Sequence, residues 1–241
     1  MRVAVISDIH ANGCALHAVL AQIDFTGPDE IWCLGDIVGY GPAPNECCAL
    51  VEERCAVVLV GNHDLVALGE LGVGDFNDDA AAAARWTSEQ LDDRSRAFLS
   101  GLEPSARVHG CELFHASPLD PVWDYVLTAE AAYAALVETR DPVVLVGHSH
   151  VALAIGLIDD ALRGGLAPEG TRTDLSGRWL LNPGSVGQPR DGDPRAAWLD
   201  LDLGGGSAEF HRVEYPIDET QADIREAGLP AGLADRLAHG V

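Results

Sequence analysis

The sequence predicts an α/β protein, and three features carry that prediction. Short apolar runs alternate with helical patterns through the first half, a buried apolar run (Val143 to Val146) follows a helix past the middle, and apolar and polar residues alternate in steps of two near the end. Val3 to Ser7 reads as a strand and Leu16 to Ile23 as a helix. Ile31 to Leu34 and Glu46 to Glu53 repeat that pair, as do Val57 to Val60 and Leu65 to Leu71, giving βαβ units and a sheet covered by helices. Asn77 caps the next helix, with Asp78 and Asp79 in its positively polarised first turn, and this helical segment reaches about Leu102. Two apolar runs, Ala106 to Val108 and Cys111 to His115, precede a helix opened by Thr128 and closed before Asp141-Pro142. From Val151 onward strand-like runs are joined by glycine-rich turns, and Leu199, Leu201 and Leu203 alternate with Trp198, Asp200 and Asp202, so this half is expected to be antiparallel. Gly204 to Gly206 turn the chain back toward Glu209 to Tyr215, and two short helices finish at about Leu237.

With 241 residues, no internal repeat and no linker, the chain is expected to form a single domain, 1–241. The motif-bearing core spans 1–215, followed by C-terminal helices in 216–241. A composition of 47% hydrophobic and 22% charged residues without a long apolar run excludes disorder and a membrane span. Met1 to Ile6 lead straight into an apolar strand rather than a signal peptide, which places the protein in the cytoplasm. The six cysteines form no CxxC pair and read as reduced core thiols. A net charge of −23 repels a polynucleotide backbone, so neither stable polynucleotide binding nor a membrane partner is expected. A small phosphoester drawn to local metal charge is compatible with it. The fifteen basic residues are all arginine, which removes any lysine-based mechanism. The oligomeric state stays open, a homo-oligomer included.

Five separated motifs carry the chemistry. Asp8 and His10, in Ser7-Asp8-Ile9-His10, follow the first strand, where residues two apart point the same way and converge on one ion. Asp36 ends the second strand behind a glycine that permits close approach, and its carboxylate is able to bridge two ions. Gly61-Asn62-His63-Asp64 ends the third. Asn62 offers a carbonyl ligand, while the adjacent His63 does not easily share that ion and is free to act on substrate as acid or base. His115 follows another apolar run. His148 and His150, two apart after a buried strand, give the strongest single metal signal. Taken singly, each has a plainer reading: polar strand ends, a turn cap at Asp36, a core histidine at His115. Their joint occurrence at the tips of predicted strands, where α/β sheets place their ligands, favours a site. Two carboxylates, one amide and four imidazoles suit Mn, Fe or Zn rather than a Ca or Mg cage.

Asp8-Ile9-His10, Gly35-Asp36, Gly61-Asn62-His63-Asp64, His115 and Gly147-His148-Ser149-His150 resemble the ordered motifs of the calcineurin-like metallophosphoesterases. Gly39-Tyr40-Gly41-Pro42 through Cys47, and Asn182 to Arg190, resemble a bacterial and archaeal single-domain branch with labels from phosphodiesterase to diadenosine-tetraphosphatase-like. The resemblance implies a four-layer α/β/β/α sandwich with two mixed sheets. It also implies one ion held by Asp8, His10, Asp36 and His150 and a second held by Asp36, Asn62, His115 and His148. Where the protein Ser/Thr phosphatases of this superfamily continue into Asp-Arg-Gly, this chain has Val38-Gly39-Tyr40-Gly41, which disfavours a phosphoprotein substrate and leaves the role of Asp64 open. Arg190 is a candidate phosphate clamp, with an exposed loop arginine as the competing reading.

The expected activity is hydrolysis of a phosphodiester or nucleotide by two divalent transition-metal ions, roughly 3.5–4 Å apart. A bridging hydroxide attacks phosphorus in line and His63 protonates the leaving group. The rival from another class is a catalytically silent metal-binding or scaffold protein of the same fold, a role for which ligands or the catalytic histidine would be lost. All of them are present here. A serine hydrolase is set aside, because Gly147-His148-Ser149-His150-Val151 lacks the last glycine of a nucleophile elbow.

Overall fold

The computed structural model describes residues 1–241. Its first half contains β1 (Arg2–Ile6), α1 (Gly13–Thr26), β2 (Glu30–Cys33), α2 (Pro44–Arg54), β3 (Val57–Val58), α3 (Asn62–Leu68), α4 (Asp78–Gln90) and α5 (Asp93–Leu99). The chain continues through β4 (Ser105–Val108), β5 (Cys111–Phe114), α6 (Ala129–Glu138), β6 (Val143–Leu145), β7 (Leu153–Ile158), β8 (Ala161–Leu166) and β9 (Arg172–Asp174). It ends with β10 (Arg178–Asn182), β11 (Ala196–Asp202), β12 (Ser207–Val213), α7 (Ile217–Glu226) and α8 (Ala231–Asp235). The strands form two six-stranded sheets, ordered β3-β2-β1-β11-β12-β9 and β4-β5-β6-β10-β7-β8.

Alternation along the strands builds four layers. Val3 and Val5 of β1 join Trp32, Leu113, Leu145, Leu181, Leu199 and Leu201 in the core between the sheets. Ala4 and Ile6 face the other way and meet Leu16, Val19 and Ile23 of α1 and Val51 of α2. On the far face of the second sheet, Val144 and Leu180 pack against Ala132, Ala135 and Leu136 of α6. The result is the α/β/β/α sandwich with two mixed sheets.

Caps fall where the sequence places them. Asn77 Oδ1 accepts from the Ala80 amide (2.9 Å) at the start of α4, and Thr128 Oγ1 from the Ala131 amide (3.2 Å) at the start of α6. The segment from Asn77 to Leu102 is nonetheless two helices, because Asp92 Oδ1 accepts from the Ser95 amide (2.7 Å) and starts a second one. β3 is shorter than Val57 to Val60 suggests, with Leu59 making only an isolated bridge to Glu103. As expected, the strands from Val151 onward pair with one another only in antiparallel fashion, whereas β6, which precedes them, lies parallel to both β5 and β10, since α6 carries the chain back across the sheet before β6 begins. β11 also returns to the first sheet, antiparallel to β1.

The C-terminal helices bring Ile224, Leu229, Leu233 and Leu237 against Tyr40, Ala80 and Ala83. Thr220 Oγ1 donates to Asn12 Oδ1 (3.1 Å), tying them to the loop after β1. The six cysteines are all free and four of them are buried. No helix is long and apolar enough to cross a membrane.

Candidate metal centre

β1 and β2 run parallel in one sheet, β5, β6 and β10 in the other, and the loops leaving their carboxyl ends meet at one edge of the sandwich. The loops after β1, β2 and β6 carry motif residues in the left-handed region: Asp8 (φ 54°) and His10 (φ 50°), Asp36 (φ 51°), and His148 (φ 61°) and His150 (φ 59°). Such backbone costs about 1–3 kcal/mol per residue and persists only where the surroundings over-determine it. They do so here. The amides of Asp8, His10 and Ala11 donate to the carbonyls of Gly35 (3.0 Å), Asp36 (2.9 Å) and Ile37 (2.8 Å). From the other side the Gly187 amide (3.0 Å) and Ser185 Oγ (2.7 Å) donate to the Asp8 carbonyl. Asp8 and His10 therefore converge through a left-handed turn beyond Ile6, rather than through strand alternation as the sequence suggests. Asn62 and His63 open α3 instead of ending a strand. Gly35 has φ +97°, and a Cβ there would lie 2.8 Å from the Gly61 nitrogen, so the expected close approach before Asp36 is present.

These loops assemble two groups of ligand atoms. Those of Asp8, His10, Asp36 and His150 lie within 4.8 Å of one another, as do those of Asp36, His115 and His148, and all these residues are buried. Asp36 belongs to both. Its Oδ2 is 3.6 Å from His10 Nε2 and 3.5 Å from His115 Nε2. Asn62 Oδ1 sits 3.2 Å from His115 Nε2, beside the second group.

The hydrogen bonding of the imidazoles tests whether a cation fits. Nδ1 of His10, His115 and His150 faces the carbonyls of Val38 (3.2 Å), Leu34 (2.9 Å) and Gln188 (2.6 Å), which only accept. Each Nδ1 therefore carries the hydrogen, and each Nε2 presents a lone pair inward. Two such lone pairs meet where His10 Nε2 lies 2.9 Å from His150 Nε2. Asp36 Oδ2 and His148 Nε2 are buried with no hydrogen-bond partner at all. Facing acceptors and orphaned buried polar atoms are unfavourable alone and are resolved together by a cation.

Burial sets the charge state of these groups. It pushes the Asp8 carboxyl up to about 7 and holds Asp36 well above the usual carboxylate range. It lowers His115 to about 4 and His148 to about 3, and holds His10 and His150 well below the ordinary histidine value, with neighbouring cationic groups contributing at the last three. At neutral pH the imidazoles are thus uncharged, the form in which they bind metal.

His63 lies outside both ligand groups. Its amide donates to Asp36 Oδ1 (2.9 Å), and its ring is held between Tyr40 (centroids 4.3 Å) and Phe76 (4.4 Å). Nδ1 is buried without a partner, and a Cβ on Gly39 would stand 2.7 Å from it. That leaves Nε2 as the atom meeting the cleft beside the metal groups. Asp64, whose role the sequence leaves open, accepts from the amides of Val38 and Gly61 (both 2.9 Å) and fixes the start of α3 against the Asp36 loop. Arg190 borders the same cleft, donating to Gln188 Oε1 (2.9 Å) and to the Tyr40 hydroxyl (3.3 Å), so it is not a free surface arginine. Sequence reasoning missed Phe76, Trp123, Tyr125 and Arg236 on the cleft wall. They come from irregular segments and the last turn, where no local pattern marks them.

A sandwich whose sheet edge gathers buried carboxylates and imidazoles into two groups sharing one aspartate defines a metal-dependent phosphoesterase. The chain belongs to the calcineurin-like phosphoesterase superfamily, whose domain model matches residues 1–204. It is 37% identical over 244 residues to an uncharacterised protein of Methanocaldococcus jannaschii, covering 99% of this chain and 98% of that protein. The crystal structure of a metallophosphoesterase from Sphaerobacter thermophilus superposes with a TM-score of 0.90 at 42% identity, covering 100% of this chain and 99% of that one. A symmetrical bis(5'-nucleosyl)-tetraphosphatase of Actinobacillus pleuropneumoniae is 28% identical over 142 residues, 56% of this chain and 52% of that enzyme.

Proposed function

We propose that the protein hydrolyses a small phosphodiester or nucleotide at a dinuclear centre of Mn, Fe or Zn, acting in the cytoplasm as one unit over residues 1–241. Asp8, His10, Asp36 and His150 would hold one ion, and Asp36, Asn62, His115 and His148 the other. The observation that carries this reading is the sharing of buried Asp36 by both groups, with a lone oxygen lacking any other partner. When bound, the ions supply positive charge for the phosphoryl oxygens and an activated water for attack.

The chain's own residues do the rest. Arg190 orients the phosphoryl group through its guanidinium, whose present partners are a neutral amide oxygen and a hydroxyl that an anion displaces readily. His63 carries a proton on Nε2 toward the leaving oxygen. Burial and Arg190 hold its pKa well below the ordinary value, and an anionic substrate in the cleft works against that depression. The intact His63 and seven ligand positions argue against a silent scaffold, and the strongly acidic chain argues against acidic phosphopeptides as substrates.

Asp36→Asn is expected to lower bound metal and to abolish most phosphoesterase activity, measured by metal analysis of the purified protein and by assay with added Mn. Unchanged metal content and activity would overturn the bridging role.

A further inference from the structure

The cleft beside His63 has a volume of about 240 Å³ and a composition unlike the rest of the chain. Aromatic residues make up 6% of the sequence, yet Tyr40, Phe76, Trp123 and Tyr125 all line this one cleft. Phe76 stacks on His63, and Trp123 meets Phe76 edge to face (centroids 5.9 Å, 72°), so the two half-buried rings form a corner. A planar ring entering that corner stacks on one face and packs against the other.

Two guanidiniums complete the wall. Arg190 and Arg236 both lean on Gln188 Oε1 (2.9 and 3.4 Å), and Arg236 Nε also donates to the main-chain oxygen of Val241 (2.8 Å), a carboxylate oxygen in the chain of 241 residues. Neither has an Asp or Glu within salt-bridge distance, in a chain with 38 acidic and 15 basic residues. Two cations side by side on one neutral oxygen suit two phosphate groups. Arg190 adjoins the ligand loop, its amide donating to the His150 carbonyl (3.1 Å). Arg236 comes from the turn after α8, beyond the stretch matched by the family model.

We propose that this cleft is a nucleoside-phosphate subsite in which Phe76 and Trp123 hold the base and Arg236 holds a phosphate other than the one cleaved. The proposal rests on the phosphoesterase reading above and narrows its substrate class to nucleotides with at least two phosphates. Complete pockets for a drug-sized ligand run from about 300 to 1,000 Å³. This cleft therefore takes one nucleoside end and leaves any second end outside. Stacking without a reading of base edges makes the subsite tolerant of base identity.

Calorimetric titration of the Mn-loaded protein separates the outcomes. The probes are adenosine 5'-(α,β-methylene)diphosphate, whose P–C–P bridge resists hydrolysis, and inorganic phosphate. The wild type is expected to bind the nucleotide at least about tenfold more tightly than phosphate. Trp123→Ala and Arg236→Ala are each expected to weaken the nucleotide on the order of tenfold, and phosphate by much less. Trp123→Phe and Arg236→Lys should recover part of the loss, and they serve if the alanine variants fail to fold. Equal weakening of both probes, or a nucleotide bound no more tightly than phosphate, overturns the proposal. Hydrolysis of p-nitrophenyl phosphoesters by the same Mn-loaded wild type is the separate control. Its absence would defeat the phosphoesterase reading, whereas its presence with no nucleotide preference would defeat only the subsite.

Discussion

His63 is held by contacts that leave one of its ring atoms free. Its amide is committed to Asp36 Oδ1, its faces to Tyr40 and Phe76, and its Nδ1 is buried against the Gly39 loop, so Nε2 remains for the cleft. A residue built into the site this firmly yet absent from both ligand groups is suited to act on the leaving group. An alkoxide or ribose oxygen needs a proton to depart, whereas p-nitrophenolate is stable as an anion. General acid catalysis is typically worth about 10²–10⁴-fold, so His63→Ala should lose roughly that much kcat/KM on a nucleotide or alkyl ester and clearly less on a p-nitrophenyl ester. Metal content should remain near that of the wild type. Equal losses on both esters would assign His63 to positioning, and a fall in bound metal would make it a support of the ligands.

At the level of elements, the site is a set of loops touching backbone to backbone, and Gly187 marks the closest approach. Its amide donates to the Asp8 carbonyl, its carbonyl accepts from Asn12 Nδ2 (2.9 Å), and a Cβ at this position would fall 1.8 Å from the Ile9 oxygen. Gly187→Ala must therefore push the Asn182 to Arg190 turn away from the Asp8 turn, and with it the Gln188 carbonyl that orients His150. Overpacking typically costs about 1–3 kcal/mol, and loss of an orienting partner about 10–100-fold in metal affinity. The variant should melt several degrees lower and bind Mn more weakly, as followed by thermal denaturation and metal titration. Wild-type values for both would mean that the two loops are not mutually braced. This layer of the structure is only half legible in sequence. Apolar runs locate β1, β2, β5 and β6, and their polar tips single out Asp8, Asp36, His115, His148 and His150, because strand alternation and ligand chemistry are local properties. The left-handed turns at Asp8 and His10 are invisible there, since they depend on amides and carbonyls from two other loops. The same holds for β6 lying parallel between β5 and β10 and for β11 returning beside β1, pairings with no local signature. The break between α4 and α5 does have a local signature, since Asp92 three residues before Ser95 is an ordinary cap signal.

Over the whole molecule the decisive quantity is charge. A chain of net charge −23 buries Asp8, Asp36 and Asp64 completely and places them close enough for each to disfavour ionisation of another. Without ions, a carboxyl whose folded pKa is raised contributes stability that is full below its unfolded value near 3.9 and is lost as pH rises through the folded pKa. For Asp8 that window runs from about 4 to about 7, and for Asp64 to about 6. The buried imidazoles act oppositely. Held neutral in the fold, they destabilise it only where the unfolded chain would protonate them, below about 6.5, so their effect has vanished by neutral pH. Metal binding reverses the carboxylate term, because cations favour ionised Asp8 and Asp36 and displace their protons. The neutral imidazoles have no proton to release. The melting temperature of the Mn-loaded protein should therefore exceed that of the chelator-treated protein, and the gap should widen from pH 6 to pH 8 as the protons competing with metal are removed. Titration with Mn at pH 6 in buffers of different ionisation enthalpy should show proton release that shrinks at pH 8. A gap that closes with rising pH, or metal binding without proton release at pH 6, would mean that Asp8 and Asp36 do not carry the ions.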